Sequence, residues 1–485
     1  MPIHRLPLLA VLAFALAACS DSSMLSPKPS AAVNPNLPQA ARYLVRLSAP
    51  GPVPSALQKL IAADGGRIVR AHAGTGLVTV AGLSAASAGS LRGQAGVAAV
   101  AADMHRQWIH QPVASERMQL MARAGANARS SMAGLVHARG APASAPAYLA
   151  GAEWWVTRIG ADTAWATTSQ GAGQTIYVLD TGVDTTHQEL VGHVNTTLST
   201  SFATAPSGDS VLPFGHDVAG HGTFVTSIIT GNAVEVAAIA PQTKVAMVRV
   251  LDDSGSGNDS DILTGILYAA DNGATVISMS LGGYIGRSDG SDLAFGDFFQ
   301  RIVDYAVARG ALVVVAAGNE GVNTNTGSST TGSFADSLNL PAGLNHLMSI
   351  GATGPIEKAS PDQIAFYSNF GKADVAIFAP GGNNDDVTYE QDNNFPDWII
   401  GACSSASATA CAGESSYNAG IGTSFATPMV SAEAAIMLAL NSGMSPATLE
   451  ACILNNAATQ GSGKGDANYD FGRISIPAAV KATGC

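Results

Sequence analysis

Four short runs in this chain are apolar at nearly every position: Thr175-Ile-Tyr-Val-Leu179, Lys244-Val-Ala-Met-Val-Arg-Val-Leu251, Thr275-Val-Ile-Ser-Met-Ser280 and Ala311-Leu-Val-Val-Val-Ala-Ala317. A strand with one wet face alternates between apolar and polar residues, whereas a strand that is apolar throughout must be covered on both faces. Helical patterns at Gly222 to Thr230, Asp259 to Asn272 and Gly296 to Arg309 lie between the runs. The alternation predicts an α/β body, doubly wound, with a mostly parallel sheet and helices on both faces. Sites in such bodies gather at the carboxyl ends of the strands.

Polar residues stand at those places. Asp180 ends the first run in Val-Leu-Asp-Thr-Gly-Val-Asp184, His221 opens a helix in Gly220-His-Gly-Thr-Phe-Val225, and Asn319 follows the fourth run in Ala316-Ala-Gly-Asn-Glu320. Ser424 lies in Gly422-Thr-Ser-Phe-Ala-Thr-Pro428, just ahead of the apolar, alanine-rich run Met429 to Leu440 that reads as a buried helix. A serine hydroxyl is a poor nucleophile until an imidazole takes its proton, and the imidazole needs a carboxylate to fix its tautomer. An amide donor such as Asn319 can receive the charge of a tetrahedral intermediate.

Taken singly, each residue has a plainer explanation. Asp-Thr-Gly is a common exit from a sheet, and His221 is one of ten histidines, with His187, His193 and His216 close by. Asn319 would satisfy a loop backbone, and Ser424 would cap a helix with Pro428 in its first turn. Their joint placement on one sheet favours the mechanism over four coincidences.

In this order, Asp180-Thr-Gly, His221-Gly-Thr, Ala-Ala-Gly-Asn319 and Gly-Thr-Ser424-Phe-Ala-Thr-Pro resemble the subtilisin-like serine peptidases, over about residue 154 to the C-terminus. The resemblance implies a serine endopeptidase with Asp180, His221 and Ser424 as its triad and Asn319 in its oxyanion hole. It implies that Ser280, Leu281 and Gly282, and Ala316, Ala317 and Gly318, bind an extended protein or peptide substrate, and that catalysis needs no cofactor. Glu189 matches a carboxylate that holds structural calcium in other members, but the loop Gly231 to Ala240 is shorter than theirs. Phe224 stands where many members have a second histidine and Phe425 where many have methionine; neither position carries a proton. Two alternatives are an aspartic peptidase, from Asp180-Thr-Gly with Asp253-Ser-Gly, and a catalytically inactive binding protein on the same fold. The first needs two all-β lobes, and the second usually lacks a triad member.

Ahead of this region, Arg42 to Leu47, Ser55 to Ala63, Arg67 to Ala71, Gly76 to Val80, Leu83 to Gln94 and Val97 to Val100 read as strand, helix, strand, strand, helix, strand, a small ferredoxin-like unit. It resembles the family's inhibitory propeptide. The expected organisation is a signal peptide at 1–18, a lipidated tether at 19–41, the propeptide at 42–104, a linker with the maturation site at 105–152 and the catalytic domain at 153–485. The linker reads as exposed, with a possible short helix around Glu116 to Ala124. Arg5 and the 13 apolar residues Leu6 to Ala18 form a secretory signal too short to span a bilayer. Leu16-Ala-Ala-Cys19 resembles a lipobox, and Ser20 after it favours the outer membrane in a Gram-negative host. A charge of −12 argues against nucleic acid as a partner, and a monomer is expected. Of the three pairings open to Cys403, Cys411, Cys452 and Cys485, proximity favours Cys403 with Cys411 and Cys452 with Cys485.

Overall fold

The structure, a computed structural model, describes residues 42–110, 141–205, 210–330, 332–355, 362–383, 397–407, 416–461, 463–482 and 485. The N-terminal unit has strands Arg42–Leu47, Arg67–His72, Leu77–Ala81 and Val97–Ala102 with helices Ser55–Ala63 and Ala85–Leu91. In space the strands run in the order Arg67–His72, Leu77–Ala81, Arg42–Leu47, Val97–Ala102, all antiparallel. One face of the sheet packs Val45, Val78, Val80 and Val100 on Leu57, Ile61 and Leu91 from the helices. From the other face Leu44, Leu77 and Ala101 join a core of the larger body, which is why Leu77–Ala81 is buried at every residue.

The larger body is built on seven parallel strands in the order Ile377–Pro380, Met348–Thr353, Leu312–Ala316, Val276–Met279, Thr175–Asp180, Lys244–Arg249, Thr200–Ser201. The four apolar runs supply four of these. Met348–Thr353 is also buried throughout, but Ser349 and Gly351 break its apolar run. A Cβ on Gly351 would stand 2.3 Å from the Phe378 ring, so the bare backbone lets the neighbouring strand approach. The helix Gly290–Ala308 starts six residues earlier than the apolar pattern predicts, because Asp289 accepts from the N–H groups of Ser291 and Asp292. The helix Thr423–Leu440 is long and apolar enough to cross a membrane, yet 83% of it is buried inside the body.

The expectation of an exposed linker over 105–152 is corrected at both ends. His105–Gln107 is a strand paired antiparallel with Ser256–Asn258, and Trp108 after it is buried. From the far end, Ala145 and Ala147 enter the main core beside Trp155 and Trp165. The segment between, with the helix expected at Glu116 to Ala124, lies outside the described residues. Cys452 is bonded to Cys485. Cys403 is also disulfide-bonded; Cys411, its expected partner, lies outside the described residues. Beside Cys403, the hairpin of Ile399–Ala402 and Tyr417–Gly420 packs on the helix His221–Ile229, with Ala402 N–H bonded to Ser227 Oγ at 2.8 Å.

Candidate active site

Asp180 closes its strand fully buried, and His221 is the first residue of the helix His221–Ile229. His221 Nδ1 lies 2.9 and 3.0 Å from the two carboxylate oxygens of Asp180. The helix start must come this close to the sheet: a Cβ on Gly222 would stand 2.0 Å from the Gly182 carbonyl oxygen. Burial opposes the charged imidazole, but the charge of Asp180, its hydrogen bond and the charge of Asp217 outweigh it and hold His221 above the usual histidine range. His221 Nε2 is buried and hydrogen-bonds to none of the described residues.

Asp217 is a component that sequence reading missed. Fully buried, it accepts at Oδ1 from Gly220 N–H at 2.9 Å and Thr181 Oγ1 at 2.8 Å. Its Oδ2 accepts from the Thr223 N–H and hydroxyl at 2.8 and 2.7 Å. The signal was an acidic residue just ahead of a helix start.

Ser424 is the second residue of the helix Thr423–Leu440 and is nearly buried. Its Oγ donates to the Ser280 carbonyl at 3.2 Å, and Ser280 Oγ donates to the Ser424 carbonyl at 2.8 Å. The serine hydroxyl is therefore turned to the Ser280 carbonyl and not to His221. Phe425 bridges the groups, its ring 4.3 Å from that of Phe224 and 6.2 Å from the imidazole, centroid to centroid. Asn319 Oδ1 accepts from Thr423 N–H at 3.0 Å and Thr423 Oγ1 at 2.8 Å. These two donors fix the amide's orientation, so Nδ2 is the end that points outward.

That outward end meets the chain's own backbone: Asn319 Nδ2 donates to the His110 carbonyl at 2.7 Å. The segment leading to His110 lies along the cleft as an added strand. Gly282 N–H donates to the Trp108 carbonyl at 2.9 Å, and Trp108 and Ile109 N–H groups donate to the Gly255 carbonyl at 3.1 and 3.2 Å. Ser280, Leu281 and Gly282 thus follow the strand Val276–Met279 on one side of the segment. Ala316, Ala317 and Gly318 follow the neighbouring strand; Ala317 O is taken by the Asn339 and Asn369 amides, and Gly318 N–H reaches Thr423 Oγ1 at 3.3 Å. Asp253 does not join Asp180: partly exposed, it pairs with the buried guanidinium of Arg249.

Glu189 does not fit a cation. Its buried carboxylate accepts from the N–H groups of Val234, Glu235 and Val236 and from Tyr417 Oη, at 2.7 to 3.1 Å. The short loop Gly231 to Ala240 turns N–H donors inward, and donors repel a metal ion. Among the described residues no cluster of three or more His, Cys, Asp or Glu side chains could hold one.

The model of the subtilase family matches residues 171–472. Thermitase of Thermoactinomyces vulgaris is 32% identical over 337 residues, which cover 69% of this chain and 98% of that protein. Subtilisin of Bacillus pumilus is 30% identical over 313 residues, covering 64% and 92%. The crystal structure of an epidermin leader peptide processing serine protease from Staphylococcus aureus shares the fold, with a TM-score of 0.69 at 19% identity, covering 92% of this chain and 98% of that one.

Proposed function

The chain belongs to the subtilase family and is a serine-type endopeptidase, and from that premise we propose that it is made as an exported zymogen using Asp180, His221, Ser424 and Asn319. Ser424 Oγ attacks the scissile carbonyl as His221 Nε2 takes its proton. Asp180 holds the Nδ1–H and steadies the imidazolium that forms. Asn319 Nδ2, with the Ser424 N–H, receives the developing negative charge. Protein or peptide substrates lie extended between Gly282 and Gly255, the two backbones that hold the segment to His110, with Ser280–Gly282 and Ala316–Gly318 as substrate-binding segments. The observation that carries this reading is the His221 ring, bound at Nδ1 by both oxygens of Asp180 and, among the described residues, left without a bond at Nε2. All four residues are present, which favours an active enzyme over an inactive binding protein.

A fluorophosphonate is expected to label Ser424 and abolish casein hydrolysis, while an inhibitor of aspartic peptidases leaves it unchanged. Full casein hydrolysis with Ser424 unlabelled would sink the assignment.

Residues 42–104 act as the inhibitory propeptide, and the segment to His110 is its tail in the cleft. Export by the signal at 1–18 and lipid on Cys19 would then anchor the propeptide and not the catalytic domain, so that maturation releases the enzyme from the membrane. Ser424→Ala is expected to stay full length and membrane-bound; a soluble, processed mutant would refute self-release.

A further inference from the structure

We infer that the self-cut proposed above falls between His110 and Gln111, an inference that rests on the peptidase reading. Among the described residues, the carbonyl that meets the amide of Asn319 is that of His110, at 2.7 Å. The register that puts it there is pinned upstream. His105, Arg106 and Gln107 pair with Asn258, Gly257 and Ser256. Trp108 is 1% exposed, packs edge-on to Phe295 and Phe299, and donates Nε1–H to the Gly257 carbonyl at 3.2 Å. A slip by one residue would swap every side chain between the two faces of the strand and drive Gln107 or Ile109 into the indole's place. The His110 imidazole itself lies over Gly283, with Nε2 3.1 Å from the Gln107 carbonyl oxygen. The backbone register and Trp108, more than the His110 side chain, therefore select the bond.

In the step, Ser424 Oγ adds to the His110 carbonyl carbon and gives its proton to His221. The bond to the Gln111 nitrogen breaks, and the amine leaves with that proton. Water then hydrolyses the ester, leaving a His110 carboxylate and a free Ser424 hydroxyl. The new C-terminus remains held by Gly282, Gly255 and the buried Trp108, so cutting and activation are separate events. Downstream, Ala145 and Ala147 are already built into the catalytic body, and the cut leaves residues 111–140 as an extension of the mature chain.

The test reads the C-terminus of the released propeptide, because that end is untouched by later trimming of the mature N-terminus. The full chain is allowed to process, and the propeptide fragment is weighed intact. It is expected to end at His110, to form at a rate unchanged by tenfold dilution, and to be absent from Ser424→Ala. Trp108→Ala is expected to give several ragged ends in place of one. A wild-type fragment ending at any other residue overturns the assigned bond, while casein hydrolysis by the same sample keeps the peptidase reading. A rate proportional to concentration overturns the intramolecular step. No processing together with no casein hydrolysis removes both the inference and the reading beneath it.

Discussion

Asp217 holds Thr223 at two points, the backbone N–H at 2.8 Å and the hydroxyl at 2.7 Å, and through them ties down the first turn of the helix that begins with His221. Its other oxygen takes the N–H of Gly220. The arrangement places a second buried negative charge near the imidazole, behind the one supplied by Asp180.

The acid limb of kcat/KM reports the ionisation of the free enzyme's base. His221 titrates above 6.5, since Asp180 and Asp217 together outweigh its burial. Activity is expected to be lost as pH falls through that raised value, where the imidazole becomes protonated and cannot accept the Ser424 proton. Asp217→Asn removes one of the charges that raise it and is expected to shift the limb to lower pH, with kcat/KM reduced. An unshifted limb would mean that Asp217 acts on the helix alone and not on the charge of the base.

Removal of Ser424 or His221 is expected to lower turnover by about a million-fold, the loss known for the same deletions in subtilisin, because the members of a triad act as a unit. Asn319→Ala is expected to cost about a hundred- to a thousand-fold in kcat, again by analogy with subtilisin, with KM little changed. Steady-state kinetics on a peptide anilide check both. A rise in KM at constant kcat for Asn319→Ala would place that residue in substrate binding and not in charge stabilisation.

Much of this was legible in the sequence. Strands covered on both faces must be apolar throughout, so Thr175–Asp180 and Leu312–Ala316 declared themselves, and with them the positions of Asp180 and Asn319. Met348–Thr353 escaped notice because its fit depends on a glycine opposite Phe378, a contact between strands. Sequence leaves calcium at Glu189 open, because a carboxylate's type shows in sequence while its partners do not; here they include three backbone N–H groups. Trp108 stands alone in a stretch of low periodicity that reads as linker. A large aromatic is expensive to leave in water, and that was the missed signal.

The N-terminal unit and the segment that follows it are held to the larger body by ion pairs that close over buried acids. Arg106 Nε is 3.0 Å from Asp259, which is fully buried, and its Nη2 reaches Asp292. Truncating one partner of such a pair strands the other, at about 3–5 kcal/mol. Arg106→Ala is therefore expected to weaken the cut complex by at least about a hundredfold and to shorten the lag before activity appears. Progress curves on the anilide substrate read the lag; an unchanged lag would show that Trp108 and the sheet contacts hold the N-terminal unit without help from this pair.

Glu433 lies within the helix Thr423–Leu440, fully buried, and neither carboxylate oxygen hydrogen-bonds to any of the described residues. Burial pushes its pKa up to about 8, against the pull of the Arg473 charge. In the unfolded chain the same group ionises near its ordinary value of 4.5. Below that value both states are protonated, and the group adds no pH dependence. As pH rises from there towards 8, the unfolded chain ionises first, so stability is lost across this window and levels off above it. Glu433→Met keeps the volume and removes the ionisable group. In a Ser424→Ala background, which prevents self-digestion, it is expected to raise the unfolding free energy at pH 8 by on the order of a few kcal/mol relative to its effect at pH 4. Urea unfolding at the two pH values measures the difference. Equal effects at both would show that the folded protein accommodates the Glu433 carboxylate in its charged form.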